Sequence, residues 1–243
     1  MRLDVYLVEN GLAVSRAKAQ EFIKNGSVCV CGKAISKPSY EVGEGESVEV
    51  LENPLQRYVG RGGLKLEAAL LAFHISVKDK IALDVGASSG GFTDCLLQNG
   101  AAKVYAVDSG SGQLHPSLLA DVRVENRENT NARYLSVADF SPRPTLAVMD
   151  VSFISQTLIH PALADVLPEG GILVSLIKPQ FELDRASLDK KGIVKNEKLR
   201  QRAVERVKAS ALAFGFAPLG SMESVITGGD GNVEYIAAFV RKE

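Results

Sequence analysis

The sequence has no apolar run longer than a strand, only three cysteines, and no excess of positive charge. Its longest apolar stretches are strand-sized, such as 171–177, and fall far short of the roughly 18 residues that a membrane-spanning helix needs. Three cysteines cannot all pair, and the opening Met-Arg-Leu-Asp-Val lacks the apolar core of a secretory signal, so a reducing cytoplasm is the expected compartment and no disulfide framework is expected. A formal charge of −1 excludes a generally basic coat for nucleic acid; any such binding must come from local clusters. What is present is a globular composition, 46% apolar and 23% charged over 243 residues, enough for one sizeable core and a smaller module.

Charge is segregated along the chain. Residues 1–38 carry six bases (Arg2, Arg16, Lys18, Lys24, Lys33, Lys37) against three acids, 39–52 carry five glutamates and no base, and 53–65 carry Arg57, Arg61 and Lys65 with no acid. Apolar spacing over 3–24, broken at Gly11, predicts helix, turn, helix, with Ser15 as an N-cap and Gly26 as the stop. Short alternating strands at 27–30 and 47–51 complete a small ααβ module. Asn53-Pro54 marks a linker, so the expected division is a front module at 1–52, a linker at 53–60 and a larger domain at 61–243.

Beyond residue 63 the pattern alternates. Helices are predicted at 64–73, 92–99, 116–120, 156–167 and 197–214, and strands at 81–85, 103–107, 146–149 and 171–176. Two further strand-like runs, 217–226 and 233–241, flank Gly228-Gly229-Asp230-Gly231 and predict an antiparallel hairpin. The fold class is therefore α/β: a Rossmann-like, mostly parallel sheet ending in an antiparallel hairpin, behind a small α+β module.

In Leu83-Asp84-Val85-Gly86-Ala87-Ser88-Ser89-Gly90-Gly91-Phe92, a glycine-rich turn lies between a strand and a helix, the edge at which open parallel sheets bind ligands. Asp108, 22 residues beyond Gly86, ends the next strand, where a carboxylate accepts both ribose hydroxyls of an adenosine. A tight turn without a ligand, with Asp108 as a helix cap, is the plain alternative; a dinucleotide dehydrogenase is another. The dehydrogenase loop favours G-x-G-x-x-G, whereas Ser88 stands at the second glycine here. With Asp84 at the strand end to receive a methionine-type amino group, the loop favours S-adenosylmethionine, held by Asp84, Gly86, Ser88, Gly90, Gly91, Phe92 and Asp108.

Four charged residues stand in apolar or glycine-rich surroundings: Lys65, Asp150, Lys178 and Glu234. Asp150 and Lys178 each follow a predicted strand and so project at the ligand edge. Methyl transfer to a hydroxyl needs that hydroxyl deprotonated and aligned. A lysine serves as base when a second ammonium and desolvation lower its pKa, with carboxylates holding it in place. Ordinary surface ion pairs are the alternative for Lys178 and Glu234 taken singly.

These segments resemble the TlyA family of rRNA 2'-O-methyltransferases: Asp84 to Phe92, Met149-Asp150-Val151-Ser152-Phe153-Ile154-Ser155, Leu176-Ile177-Lys178-Pro179-Gln180-Phe181-Glu182 and Gly231-Asn232-Val233-Glu234-Tyr235. Tyr58-Val59-Gly60-Arg61-Gly62-Gly63-Leu64-Lys65-Leu66 extends the likeness. The front module is similar to the S-four RNA-binding domain, through Arg2-Leu3-Asp4, Gly11, Ser15-Arg16, Ala19, Ile23, Gly26, Val28, Val30 and Lys37-Pro38-Ser39. The resemblance implies an FtsJ/RrmJ-like catalytic domain whose Lys-Asp-Lys-Glu set is Lys65, Asp150, Lys178 and Glu234, with Lys178 as base, S-adenosylmethionine as donor and cytidine of ribosomal RNA as acceptor. It departs from the pattern at Cys31, where the front module usually has Asn, and at Ser89 and Phe92, where FtsJ enzymes carry Pro and Trp.

Proteins of this family also carry a haemolysin label, so a membrane-active or purely RNA-binding protein is the alternative of another class. The want of an amphipathic basic helix counts against it. Cys29 and Cys31, two apart on one expected strand face, have no further Cys or His cluster to complete a metal site, and none is expected. His74, His115 and His160 are scattered; His115 borders the cofactor loop at most. Arg2, Arg16, Lys18, Lys24, Lys33, Lys37, Arg57 and Arg61 are the candidates for phosphate contact, against solvated surface charge as the alternative for each.

Overall fold

The computed structural model describes residues 1–24, 26–51, 57–229 and 231–242. The chain forms two compact units, Met1–Arg57 and Tyr58–Glu243.

The first unit pairs α1 (Leu3–Glu9) with α2 (Arg16–Lys24) over a three-stranded antiparallel sheet of β1 (Val28–Val30), β2 (Lys33–Ala34) and β3 (Val48–Val50), in the order β2-β1-β3. Ser15 does cap α2: its Oγ accepts the Lys18 amide at 3.2 Å. Leu3, Leu7, Ala19, Phe22, Ile23, Val28 and Val30 form the core. Beside it lies the fully buried carboxylate of Asp4, which takes two bonds of 3.0 Å from Arg2, one of 2.9 Å from Arg16 and one of 2.9 Å from Gln20. Those bonds, led by Arg2, hold the Asp4 carboxyl well below the usual carboxylate range. Cys31 is not on the strand face of Cys29: β1 ends at Val30, and Cys31 turns away with φ +49° to open the β1–β2 connection.

The second unit is built on a seven-stranded sheet. In chain order its elements are α3 (Gly62–Ala72), β4 (Ile81–Val85), α4 (Gly91–Gln98), β5 (Lys103–Val107), α5 (Pro116–Leu119), β6 (Val124–Arg127), β7 (Leu146–Met149), α6 (His160–Val166), β8 (Ile172–Ile177), α7 (Pro179–Glu182), α8 (Glu197–Ala213), β9 (Phe216–Glu223) and β10 (Tyr235–Arg241). The sheet order is β6-β5-β4-β7-β8-β10-β9; the first five strands are parallel, and β10 runs antiparallel to both neighbours. Side chains alternate across it. Ala82, Val104, Ala106, Leu146, Val148, Val174, Leu176, Ile236 and Ala238 pack under α3 and α4; Leu83, Val85, Tyr105, Val107, Ala147, Met149, Leu173, Ile177 and Phe239 pack under α6 and α8.

Several expected boundaries move. The expected helix 156–167 divides into a 3-10 turn, Gln156–Leu158, and α6, because Pro161 in the first turn of α6 lacks the amide that a continuous helix would use. The strand β6 and the one-turn helix α7 were not expected: Val-Glu-Asn-Arg shows no apolar alternation, and β6 exists through its pairing with β5. Part of the expected linker 53–60 lies outside the described residues. Its last three residues pack on the second unit, where Tyr58 is buried against Gly63 and the Val59 amide donates to Asp94 Oδ2 at 2.8 Å.

His160, buried in α6, bonds Ser210 Oγ through Nδ1 at 2.9 Å and lies beside Phe216. Burial pushes its pKa down to about 4. The unfolded chain therefore binds a proton near pH 6.5 that the folded chain refuses until about pH 4, so stability falls as pH drops through that window. Denaturant unfolding between pH 7.5 and 4.5 is expected to show His160→Gln losing less stability than wild type, by up to about 3 kcal/mol; parallel pH profiles would contradict this.

Candidate active site

Strand parity places the charged set. Asp150 follows β7, Lys178 follows β8 and Glu234 precedes β10, so all three stand at the edge where the parallel strands end. The pairing Tyr235↔Ile177 carries Glu234 to the position opposite Lys178, and Val85↔Met149 carries Gly86 beside Asp150. All three share the parity of the residues under α3 and α4. Lys65 comes from α3 itself, a turn beyond Gly62, which lies against Phe92 and within 3.9 Å of Asp150 Oδ2 measured from its would-be Cβ.

Two ion pairs result. Lys65 and Glu234 form a buried pair, with Gly228 against the Glu234 carboxylate. Lys178 Nζ lies 2.6 Å from Asp150 Oδ1 and donates to Ser152 Oγ at 2.8 Å. Ser152, inside a motif singled out from sequence, was not itself given a part.

Two cavities adjoin this set. The larger, about 560 Å³, is lined by Gly86, Ser88, Asp108, Gln113, Asn131 and Phe153, among others. The smaller, about 190 Å³, is lined by Arg61, Gly62, Gly91, Phe92 and Lys178. Gly86, Ser88, Asp150 and Ser152 border both, so the two open on a common wall. Asp108 holds that wall: Oδ2 accepts the Ser88 amide at 2.8 Å and Oδ1 the Gly110 amide at 2.7 Å. Glu128 accepts the Gly112 and Gln113 amides at 2.8 and 3.0 Å, fixing the rim. Nothing in the sequence pattern marked that rim, since Glu128 arrives just after the unexpected β6.

Not every expected cofactor residue faces a cavity. Asp84 shares the parity of Ala82, which turns its fully buried carboxylate under α4, where Oδ2 accepts Thr93 Oγ1 at 2.7 Å; it lines neither cavity. Burial pushes its pKa up to about 7. Gly90 likewise lines neither, capping α4 at φ +94° against Leu114 and Leu118. His115 caps α5, accepting the Ser117 amide, and stays outside both linings.

Of the expected phosphate contacts, Arg2 and Arg16 are engaged by Asp4 and Lys18 pairs with Glu21 at 3.1 Å. Lys24, Lys33 and Lys37 are exposed and make no ion pair among the described residues. Arg57 is exposed at the end of the first unit, and Arg61 is exposed at the mouth of the smaller cavity. Among the described residues there is no group of three or more metal-ligating side chains, and no helix is long and apolar enough to cross a membrane.

The sheet order, the antiparallel final hairpin and the glycine turn after β4 define an α/β methyltransferase domain, here preceded by a small α+β module. The chain belongs to the FtsJ-like methyltransferase family, whose model matches residues 58–241, and residues 1–48 match the S4 domain. It is 49% identical to Bacillus subtilis YqxC, provisionally named an rRNA methyltransferase, over 97% of this chain and 84% of that protein. It is 42% identical to the 16S/23S rRNA (cytidine-2'-O)-methyltransferase TlyA of Mycobacterium tuberculosis, over 96% of this chain and 87% of that one. A solved structure from Streptococcus thermophilus, provisionally named a hemolysin, superposes with a TM-score of 0.79 at 43% identity, covering 100% of this chain and 89% of that one.

Gly86 has φ +84°, and a Cβ there would collide with the Asp150 carbonyl oxygen. Gly86→Ala is therefore expected to displace Asp150 and cost about 1–3 kcal/mol of stability; an unchanged thermal transition would show that the turn tolerates a side chain.

Proposed function

We propose that the chain transfers a methyl group from S-adenosylmethionine to the ribose 2'-hydroxyl of cytidine in ribosomal RNA. One observation carries the reading: Lys178 lines the smaller cavity, beside Arg61 and Gly62, and its Nζ is held there by Asp150 and Ser152, which also border the larger cavity sized for a nucleoside cofactor. The family and the activity named for the M. tuberculosis relative support it.

The larger cavity fits the cofactor. Gly86 leaves its floor clear of a side chain, Ser88 and Asp108 offer polar groups for a ribose, and Gly91 and Phe92 continue the wall into the smaller cavity. When bound, S-adenosylmethionine supplies an activated methyl group on a sulfonium. The ribose hydroxyl of the target enters from the smaller cavity, and Lys178, as the neutral amine, takes its proton at Nζ while the oxygen gains the methyl, becoming the ammonium that Asp150 pairs. Asp150 and Ser152 aim Lys178, and the buried Lys65–Glu234 pair, which lines neither cavity, anchors α3 to the start of β10 opposite Lys178.

Lys24, Lys33, Lys37, Arg57 and the exposed side of Arg16 contact RNA phosphates on the first unit, and Arg61 does so on the second. Arg2 contributes mainly by holding Asp4.

The test uses methyl-labelled S-adenosylmethionine and ribosomal subunits from cells lacking the enzyme. Label in cytidine 2'-O-methyl is expected, and none in either subunit's RNA would overturn the function. Lys178→Ala is expected to lose about 10²–10⁴ in turnover while binding cofactor normally by calorimetry; wild-type turnover by that variant would sink Lys178 as the base.

A further inference from the structure

Glu182 is a buried carboxylate that makes no salt bridge among the described residues; the opposite charge acting on it is Arg206, whose guanidinium donates to the Glu182 backbone carbonyl at 2.6 Å. It ends α7, the single turn that begins directly after Lys178. Both of its oxygens reach a different segment. Oε1 accepts the Gln156 amide at 2.9 Å and Oε2 accepts Ser155 Oγ at 2.5 Å. Gln156 is itself buried, donates to the Leu176 carbonyl at 3.3 Å and accepts from Ser175 Oγ. The end of the 150–156 loop is thus strapped to the strand and turn on either side of Lys178.

That loop needs strapping. It presents Asp150 and Ser152 to Lys178 Nζ, and between them and the strap Phe153 adopts φ +63°, a left-handed conformation that a bulky side chain does not hold unaided. Phe153 is 92% exposed and gains little from burial; its ring meets Phe181 of α7 at 5.1 Å. Burying a carboxylate disfavours its charged form, and burial does push the Glu182 carboxyl upward against the bonds from Ser155 and Gln156. An apolar side chain would fill the site without that cost, so holding the loop is what the carboxylate adds.

We propose that Glu182 is a positioning residue for methyl transfer, acting through Ser155 and Gln156 to fix the 150–156 loop so that Asp150 and Ser152 aim Lys178. The inference rests on Lys178 being the group that takes the ribose proton.

The test measures kcat and KM for the full chain on ribosomal RNA with labelled S-adenosylmethionine, for Glu182→Ala, Glu182→Gln, Ser155→Ala and the Glu182→Ala/Ser155→Ala pair, beside Lys178→Ala. Glu182→Ala is expected to lose about 10–100-fold in kcat, the scale of a misplacement near 1 Å, with KM for the cofactor within about threefold. Glu182→Gln, whose amide still accepts from the Gln156 amide, is expected to recover most of that loss. The double variant is expected to lose no more than Glu182→Ala alone, as two members of one strap should. Wild-type kcat in Glu182→Ala beside an inactive Lys178→Ala overturns the inference alone. So does a cofactor KM that rises in step with the kcat loss while Glu182→Gln fares no better than alanine. Full activity in Lys178→Ala overturns the underlying reading and the inference with it. Should Glu182→Ala fail to fold, Ser155→Ala carries the test: a loss of several-fold in kcat supports the strap, and wild-type kcat overturns it.

Discussion

The alternation of side chains across a sheet covered on both faces is the constraint on which this structure depends. A strand buried on both sides cannot tolerate a charge in its middle, so charged groups collect where strands end. The two-residue period then decides which layer of helices each one meets. Asp150, Lys178 and Glu234 share the parity of Val148, Leu176 and Ile236, so they converge on the side where α3 delivers Lys65. A one-residue slip in β10 would turn Glu234 to the opposite layer and leave Lys65 buried without a partner. The antiparallel run of β10 matters equally, because it brings the start of that strand to the edge where its parallel neighbours finish.

Each lysine in the set has its own carboxylate, and the two pairs differ in surroundings. Lys65 and Glu234 are closed off from solvent, whereas Lys178 and Asp150 stand at a cavity wall. A buried pair gives up much of its Coulombic gain to desolvation and is weak evidence for stability. Here its geometry ties α3 to the final hairpin. The open pair is free to meet an incoming group.

Much of the framework was legible because buried parallel strands write themselves as apolar runs. The strands at Ile81–Val85, Lys103–Val107 and Leu146–Met149 lie where the sequence pattern puts them, and the final hairpin follows from its glycine-rich connection. The strand Val124–Arg127 was not legible, since a polar edge strand owes its conformation to its neighbour. Asp84 was less legible. Its place at a strand end suggested a ligand contact, yet the same period-two rule that aims Asp150 at the cavity edge turns Asp84 under α4.

By itself the sequence determined the two-part organisation, the alternating architecture and the three charged residues, Asp150, Lys178 and Glu234, at strand ends, because local periodicity and turn chemistry encode these. Only the tertiary structure decided which lysine meets which carboxylate, that Arg2 and Arg16 are drawn to Asp4, and that Ser152 and Glu182 bear on Lys178. Those outcomes depend on the register between strands and on loops brought together from distant parts of the chain, and hydrogen bonds a few ångströms long across such gaps leave no periodic trace in the order of residues.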